Sequence, residues 1–230
     1  MIQDYLFCTN RPWALSAFTE ARPRLMGRWS VCVSPTDLAE TAERCNPRYI
    51  FFPHWSSIVP QAILDAHECV CFHMTDVPYG RGGSPLQNLI ARRHKETALT
   101  ALRMTEILDA GPVYLKRPLS LEGSAEEIFR RASELSLQMM AEIVDHEPEP
   151  VPQKGEATVF ARRKPNQSEL PEDPSPEALY DHIRMLDAPG YPRAFLRHGS
   201  WMARFAEARL ADNAIEARVR FEKIDPDEAS

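Results

Sequence analysis

The stretch "CVCFHMTDVPYGRGGSPLQ" (residues 69–87) decides the fold. It begins inside "ECVCFH" (68–73), an apolar run that reads as a buried strand. It breaks into a glycine-rich loop with one arginine, "YGRGGS" (79–84), and enters a helix at "SPLQNLIARR" (84–93), where Ser84 reads as the cap and Pro85 as the first helical residue. Upstream lie three more strand-like runs, "YLFCT" (5–9), "RWSVCVS" (28–34) and "RYIFF" (48–52), the second followed by the helix-start residues Pro35, Thr36 and Asp37. Strands at this spacing with helices between them imply right-handed βαβ units, so the class is α/β with a parallel central sheet.

Downstream, "TALTALRM" (97–104) and "PVYLKRPLSL" (112–121) read as two further strands. Residues 124–147 form the clearest helix. Ser124 and Glu127 make a capping box, and Ile128, Ala132, Leu135, Met139 and Ile143 make a core-facing stripe. "EPEPVPQKGE" (147–156) reads as an extended linker by its prolines. A short segment, 157–170, leads to 171–196, read as a capped helix that ends in a proline-glycine turn. "AEARLA" (206–211) and "AIEARVRFEKI" (214–224) alternate as a terminal β-hairpin turning at Asp212-Asn213. There is no internal repeat.

The 230 residues suffice for one good core with a modest second module. A net charge of −6 supplies no basic footprint for nucleic acid, so an anionic ligand needs a local basic pocket. The cysteines, Cys8, Cys32, Cys45, Cys69 and Cys71, are odd in number and irregular in spacing, which fits reduced thiols in a cytoplasmic protein. The first residues, "MIQDYLFCTNRPW", show no signal-peptide pattern, and no run reaches the ~20 apolar residues of a membrane span.

Cys69, Cys71 and His73 share one face of their strand. Across a straight strand Cys69 and His73 are ~13 Å apart, too far to share one zinc ion, so no metal site is expected. His73 closes its strand at the carboxyl end of a parallel sheet, where ligands of open α/β sheets bind. The loop and helix start that follow form a natural anion site, although no lysine stands before Ser84 to make a phosphate loop of the Walker type. Taken alone, the glycines mean a tight turn, and a lone histidine is more often structural. A second polar residue, Asp109, sits in the turn "EILDAGPVY" (106–114) between two strands. On adjacent strand ends, a His and an Asp can form a base and its orienter.

Residues 50–165 resemble the formyltransferase family that uses 10-formyltetrahydrofolate. The family pattern Asn-x-His, Pro, Gly-Arg-Gly loop, Pro-x-Gln is matched by "CFHMTDVPYGRGGSPLQ", and its later Asp-containing turn by "RMTEILDAGPVYLKRPL". "FFPHWSSIVP" (51–60) resembles the pterin-pocket wall, and "PVPQKGEATVFARRKPNQSEL" the end of the catalytic domain. The resemblance implies a Rossmann-like formyltransferase fold, with residues 1–165 as catalytic domain and 166–230 as a small helix and hairpin extension. It implies His73 and Asp109 as catalytic residues. It places Cys71, which has no amide donor, where the family carries its catalytic Asn. Trp55, Ile58, Met104, Glu106, Ile107 and Asp109 would hold the folate. Arg81, Gly82, Gly83 and Ser84, with Asn10 and Arg11, would face the acceptor.

The tail, "LYDHIRMLDAPGYPRAFL" (179–196), resembles the ending of sugar N-formyltransferases. The expected reaction is therefore formyl transfer to the amine of an amino sugar, nucleotide-linked and destined for a surface glycan. No metal, nucleic acid or membrane is involved, and a homodimer is possible. Other readings are a 10-formyltetrahydrofolate hydrolase, a methionyl-tRNA formyltransferase-like or nucleotide-precursor enzyme, and a non-catalytic folate- or nucleotide-binding homologue.

Overall fold

Each of the six strands expected between residues 5 and 121 forms, within two residues of its expected bounds. The computed structural model describes residues 2–212 and 214–224. In chain order its elements are β1 (Asp4–Cys8), α1 (Pro12–Ala21), β2 (Arg28–Cys32), α2 (Leu38–Cys45), β3 (Tyr49–Phe52), α3 (Gln61–Ala66), β4 (Cys69–His73), β5 (Arg81–Gly82), α4 (Pro85–Ala91), β6 (Glu96–Arg103), β7 (Val113–Ser120), α5 (Ala125–His146), β8 (Val159–Phe160), α6 (Pro176–Arg184), β9 (Phe195–His198), β10 (Trp201–Ala211) and β11 (Ala214–Lys223). They fall into two units. The first comprises Met1–Gly82, Thr97–Leu119 and Arg130–Phe160; the second comprises Gly83–Glu96, Ser120–Phe129 and Ala161–Ser230.

The first unit holds the sheet, in the order β2-β1-β3-β4-β6-β7. β1 pairs in parallel with β2 and β3, and β3 with β4. β6 runs antiparallel to β4, with His73 opposite Thr100, so the sheet is mostly parallel. A sheet covered on both faces needs strands apolar on both faces, which is why "YIFF" of β3 is buried at every residue. One face packs Leu6, Cys8, Leu38, Ile50, Phe52 and Cys69. The other packs aromatic rings, with Phe7 stacked on Phe18 at 4.0 Å between centroids and Trp29 against Phe51 at 5.7 Å. Each such side chain contributes about 1.5–3 kcal/mol by burial. The chain leaves β1 for β2 on one side and returns to β3 on the other. This topological switch opens a crevice beyond the carboxyl ends of β1 and β3.

The capping box that starts α5 is present. The Ser124 N–H donates to Glu127 Oε2 at 2.8 Å, and the Glu127 N–H to Ser124 Oγ at 3.3 Å. In the second unit, α6 is shorter than the expected helix over 171–196, beginning after its cap Ser175 and ending at Arg184. Buried Arg184 holds that end by donating to Leu121 O at 2.6 Å and Gly123 O at 2.8 Å. Beyond Arg184 the chain turns, and Phe195–His198 forms a strand that the sequence reading missed. The C-terminal sheet is therefore three-stranded, β11-β10-β9, and Asn213 of the expected hairpin turn lies outside the described residues. Among the described residues no helix is long and apolar enough to cross a membrane.

Candidate active site

His73 is the last residue of β4 and is 8% exposed. Its Nε2 lies 2.8 Å from the Gly80 carbonyl oxygen. A carbonyl only accepts, so this contact assigns the proton to Nε2 and leaves Nδ1 as the nitrogen whose proton can come and go. Gly80 adopts φ +72°, and a Cβ there would come within 2.6 Å of the Phe160 ring, so only glycine brings its carbonyl to the histidine. The Gly80 N–H is itself fixed by Thr158 Oγ1 at 2.7 Å.

Nδ1 faces Asp109 Oδ2 at 3.5 Å. That same oxygen accepts the Gly82 N–H at 2.9 Å. Asp109 sits at φ +55°, a left-handed conformation that Asp tolerates better than most residues. Two residues on, a Cβ on Gly111 would lie 1.9 Å from the Arg103 carbonyl oxygen, so the turn closes only over glycine.

The turn is pinned by Gln153, which the sequence reading did not single out. Its Nε2 donates to Asp109 O and Gly111 O, both at 2.8 Å, and its Oε1 accepts from Arg81 Nε at 3.1 Å and Nη2 at 2.8 Å. The segment read as a plain linker thus carries a positioning residue, and Val151 within it pairs with Val113. β5 and β8 complete the frame, with Arg81 opposite Val159 and Gly82 opposite Phe160.

Cys71, Trp55 and Met104 are partly buried against the core cluster of Leu6, Ile50 and Phe52. Burial pushes the Cys71 thiol well above its usual range, and the Asp109 carboxylate adds to the effect, so Cys71 is a neutral thiol. At the switch point, Asn10 Nδ2 donates to Ser56 Oγ at 3.0 Å. Asn10 Oδ1 and Trp55 Nε1 are buried with no hydrogen-bond partner among the described residues. Such atoms ask for a polar ligand. Arg11 places its guanidinium 5.7 Å from the Trp13 ring centroid. Glu106 is exposed, and Ile58 and Ile107 are 94% and 69% exposed.

Gly83 and Ser84 belong to the second unit. The expected cap at Ser84 does not form: Ser84 takes φ +50° and makes no side-chain cap bond to α4. Its Oγ accepts the Arg163 N–H at 3.0 Å instead. Asn88 closes the same turn, donating to Gly83 O at 3.1 Å and Ser84 O at 3.0 Å. Among the described residues no three His, Cys, Asp or Glu side chains gather as a metal site.

A solved structure titled methionyl-tRNA formyltransferase from Clostridium thermocellum is 41% identical, covers 96% of this chain and all of that one, and superposes with a TM-score of 0.93. This chain belongs to the folate-dependent formyltransferase family. The family description "Methionyl-tRNA formyltransferase, C-terminal domain" matches residues 165–222. That match corrects the reading of the tail as specifically of the sugar N-formyltransferase kind. The methionyl-tRNA formyltransferase of Wolinella succinogenes is 29% identical over 158 residues, which are 66% of this chain and 50% of that protein. This chain therefore spans about half the length, or less, of the first curated relatives it matches. HypX from Aquifex aeolicus, solved with tetrahydrofolic acid, shares the fold at 20% identity and a TM-score of 0.74, over 90% of this chain and 38% of HypX.

Proposed function

We propose that the protein transfers a formyl group from 10-formyltetrahydrofolate to a primary amine, with His73 and Asp109 as the catalytic pair. One observation carries the reading: Asp109 Oδ2 is anchored by the Gly82 N–H at 2.9 Å and meets His73 Nδ1 at 3.5 Å, at the end of a sheet strand. The folate supplies an activated formyl group. As the amine attacks, His73 accepts its proton at Nδ1, because Nε2 is committed to Gly80. Asp109 stabilises the resulting imidazolium, and the proton then passes from Nδ1 to the folate nitrogen as its bond to the formyl carbon breaks. Cys71, at the family's Asn position, contributes only a weak S–H.

The residues fit a flat ring with polar edges. Trp55 and Met104 are half-buried apolar walls, Ile58 and Ile107 are open to a ligand, and Trp55 Nε1 and Asn10 Oδ1 offer an unused donor and acceptor. We assign the folate to this set, with Glu106 and the backbone to Asp109. The acceptor side, within the first unit, goes to Arg81, Gly82, Asn10 and Arg11. Arg81 spends Nε and Nη2 on Gln153, so its remaining N–H groups are the ones left for an acceptor. Residues 1–165 are the proposed catalytic module and 166–230 its extension.

For the acceptor, the relatives' names favour an aminoacyl amine of the methionyl-tRNA type. A net charge of −6 favours the second reading, a small amino sugar, over a long polyanion. The test incubates the protein with 10-formyltetrahydrofolate and methionyl-tRNA, free methionine, or free and nucleotide-linked amino sugars, and weighs the products. A formylated amine supports the proposal and names the class. Formate alone makes the protein a hydrolase, and folate binding without turnover makes it a binding module.

A further inference from the structure

All five cysteines are free thiols, and all five pack into one core cluster of the first unit. The strand register singles out one pair among them. Cys8 closes β1, Cys32 closes β2, and the two are direct partners across the parallel ladder, so their side chains share a face. The others stand apart from this pair: β3 separates β1 from β4 with its Cys69 and Cys71, and Cys45 ends α2. Neighbouring strands lie ~4.8 Å apart, inside the ~4.4–6.8 Å between Cα atoms that a disulfide spans.

The two sulfurs already meet. The Cys8 thiol donates to the Cys32 sulfur, and Cys32 Sγ lies 3.1 Å from the Ser34 carbonyl oxygen. Burial, with that donation adding, pushes the Cys8 thiol well above its usual range. The same donation brings Cys32 down to about 7 against the effect of its own burial. The pair therefore holds one sulfur with thiolate character and one neutral thiol beside it. Both are buried, but Cys32 ends the edge strand of the sheet, directly before Val33, which is 49% exposed. A molecule as small as hydrogen peroxide enters at that end.

We propose that Cys8 and Cys32 are a reversible redox pair, closed to a disulfide by hydrogen peroxide and reopened by a dithiol, whose closure shifts the crevice at Asn10. The Cys32 sulfur attacks one peroxide oxygen, the O–O bond breaks, and one water leaves with Cys32 as the sulfenic acid. The Cys8 sulfur then displaces that oxygen, which takes the Cys8 proton and leaves as a second water while the S–S bond forms. The thiols lose two electrons and the peroxide becomes two waters. A dithiol returns both hydrogens and ends as its own disulfide. A disulfide holds its Cβ atoms ~3.8 Å apart, so closure draws the two strand ends together by about 1 Å. The Thr9 N–H donates to the Cys32 carbonyl at 3.1 Å, and Thr9 Oγ1 accepts the Arg11 N–H at 3.3 Å. Asn10, bonded to Ser56 Oγ at 3.0 Å, lies between them, so the shift passes straight into the crevice.

The test treats the full native chain with hydrogen peroxide, alkylates it in urea and maps its peptides by mass. It needs no turnover and leaves His73 and Asp109 intact, so its failure is distinct from failure of the formyl-transfer reading. The expected result joins the Cys8 and Cys32 peptides, leaves the other three cysteines alkylated, and is undone by dithiothreitol. Cys8→Ala should leave a sulfenic acid on Cys32 that dimedone traps, and Cys32→Ala should leave Cys8 a free thiol. In the bridged chain the Arg11 N–H should exchange about fivefold faster, as the loss of one hydrogen bond implies, while β3 stays unchanged. Peroxide should not alter Arg11 exchange in Cys8→Ala. A bridge to any other cysteine overturns the proposal. So does a native chain whose Cys8 and Cys32 stay reduced while the urea-unfolded chain oxidises, or a bridged chain whose Arg11 exchanges as in the reduced one.

Discussion

Replacing Gln153 by alanine removes the clamp on the Asp109 turn and leaves the atoms of the proposed pair, His73 and Asp109, in place. Two amide donations, to Asp109 O and Gly111 O, are lost. At about 1 kcal/mol for each neutral hydrogen bond, the turn loses about 2 kcal/mol, which is about 30-fold in its opening equilibrium. The Gly82 N–H reports this directly, because its acceptor is Asp109 Oδ2 on that turn. Gln153→Ala is therefore expected to speed hydrogen exchange at Gly82 by about 30-fold while exchange in the core of β3 stays put. Gln153→Glu refines the test. It keeps an acceptor for Arg81 but donates nothing to the two carbonyls, so Gly82 should exchange as fast as in the alanine variant. Formyl transfer should fall in kcat more than KM rises, since the turn positions Asp109 rather than binding substrate. Unchanged exchange at Gly82 in both variants would refute the clamp.

Three further outcomes follow from the same geometry. Asp109→Asn keeps a carbonyl oxygen for the Gly82 N–H but cannot stabilise an imidazolium, so a stopped-flow rate across pH should fall by about 10²-fold or more with the melting temperature nearly unchanged; wild-type rates at every pH would remove Asp109 from the chemistry. Cys71→Ala should retain most activity and Cys71→Asn should gain none, measured as formylated product from one cofactor batch; an inactive wild type rescued by asparagine would mark a decayed catalyst. Burial, with Glu68 adding, pushes the Cys69 thiol up to about 12. With the thiol also buried, alkylation of Cys69 in the native protein at pH 8 should be slower than in urea by about 10³-fold or more, and equal rates would contradict this.

The parts of the site written in local patterns were legible in the sequence. "RYIFF" reads as a strand between helical patterns, and a histidine closing the apolar run "CVCFH" before a glycine loop reads as the carboxyl end of a sheet strand, as both prove to be. Asp109 was legible as a turn residue because of Ala110 and Gly111, although its contact with His73 needed the fold. Gln153 was not legible: a lone amide among prolines looks solvated, and its four bonds reach 42 to 72 residues back along the chain. Neither was β5, a two-residue strand whose partner β8 is equally short, since a period of two cannot show in two residues. The antiparallel turn of β6 against β4 carries no signature in either strand. The misread cap at Ser84 has the same origin, because Arg163, far along the chain, claims the hydroxyl.

The measurement closest to the central claim is single-turnover formyl transfer by wild type and His73→Asn, compared with one folate preparation and an accepted amine. Asparagine holds a donor near Gly80 but has no nitrogen that titrates near neutral pH. The account predicts formylated product from wild type and a rate lower by about 10²–10⁴-fold in the variant, with folate binding and melting temperature close to unchanged. A His73→Asn rate within a few-fold of wild type would contradict it, and would return His73 to a packing role at the end of β4.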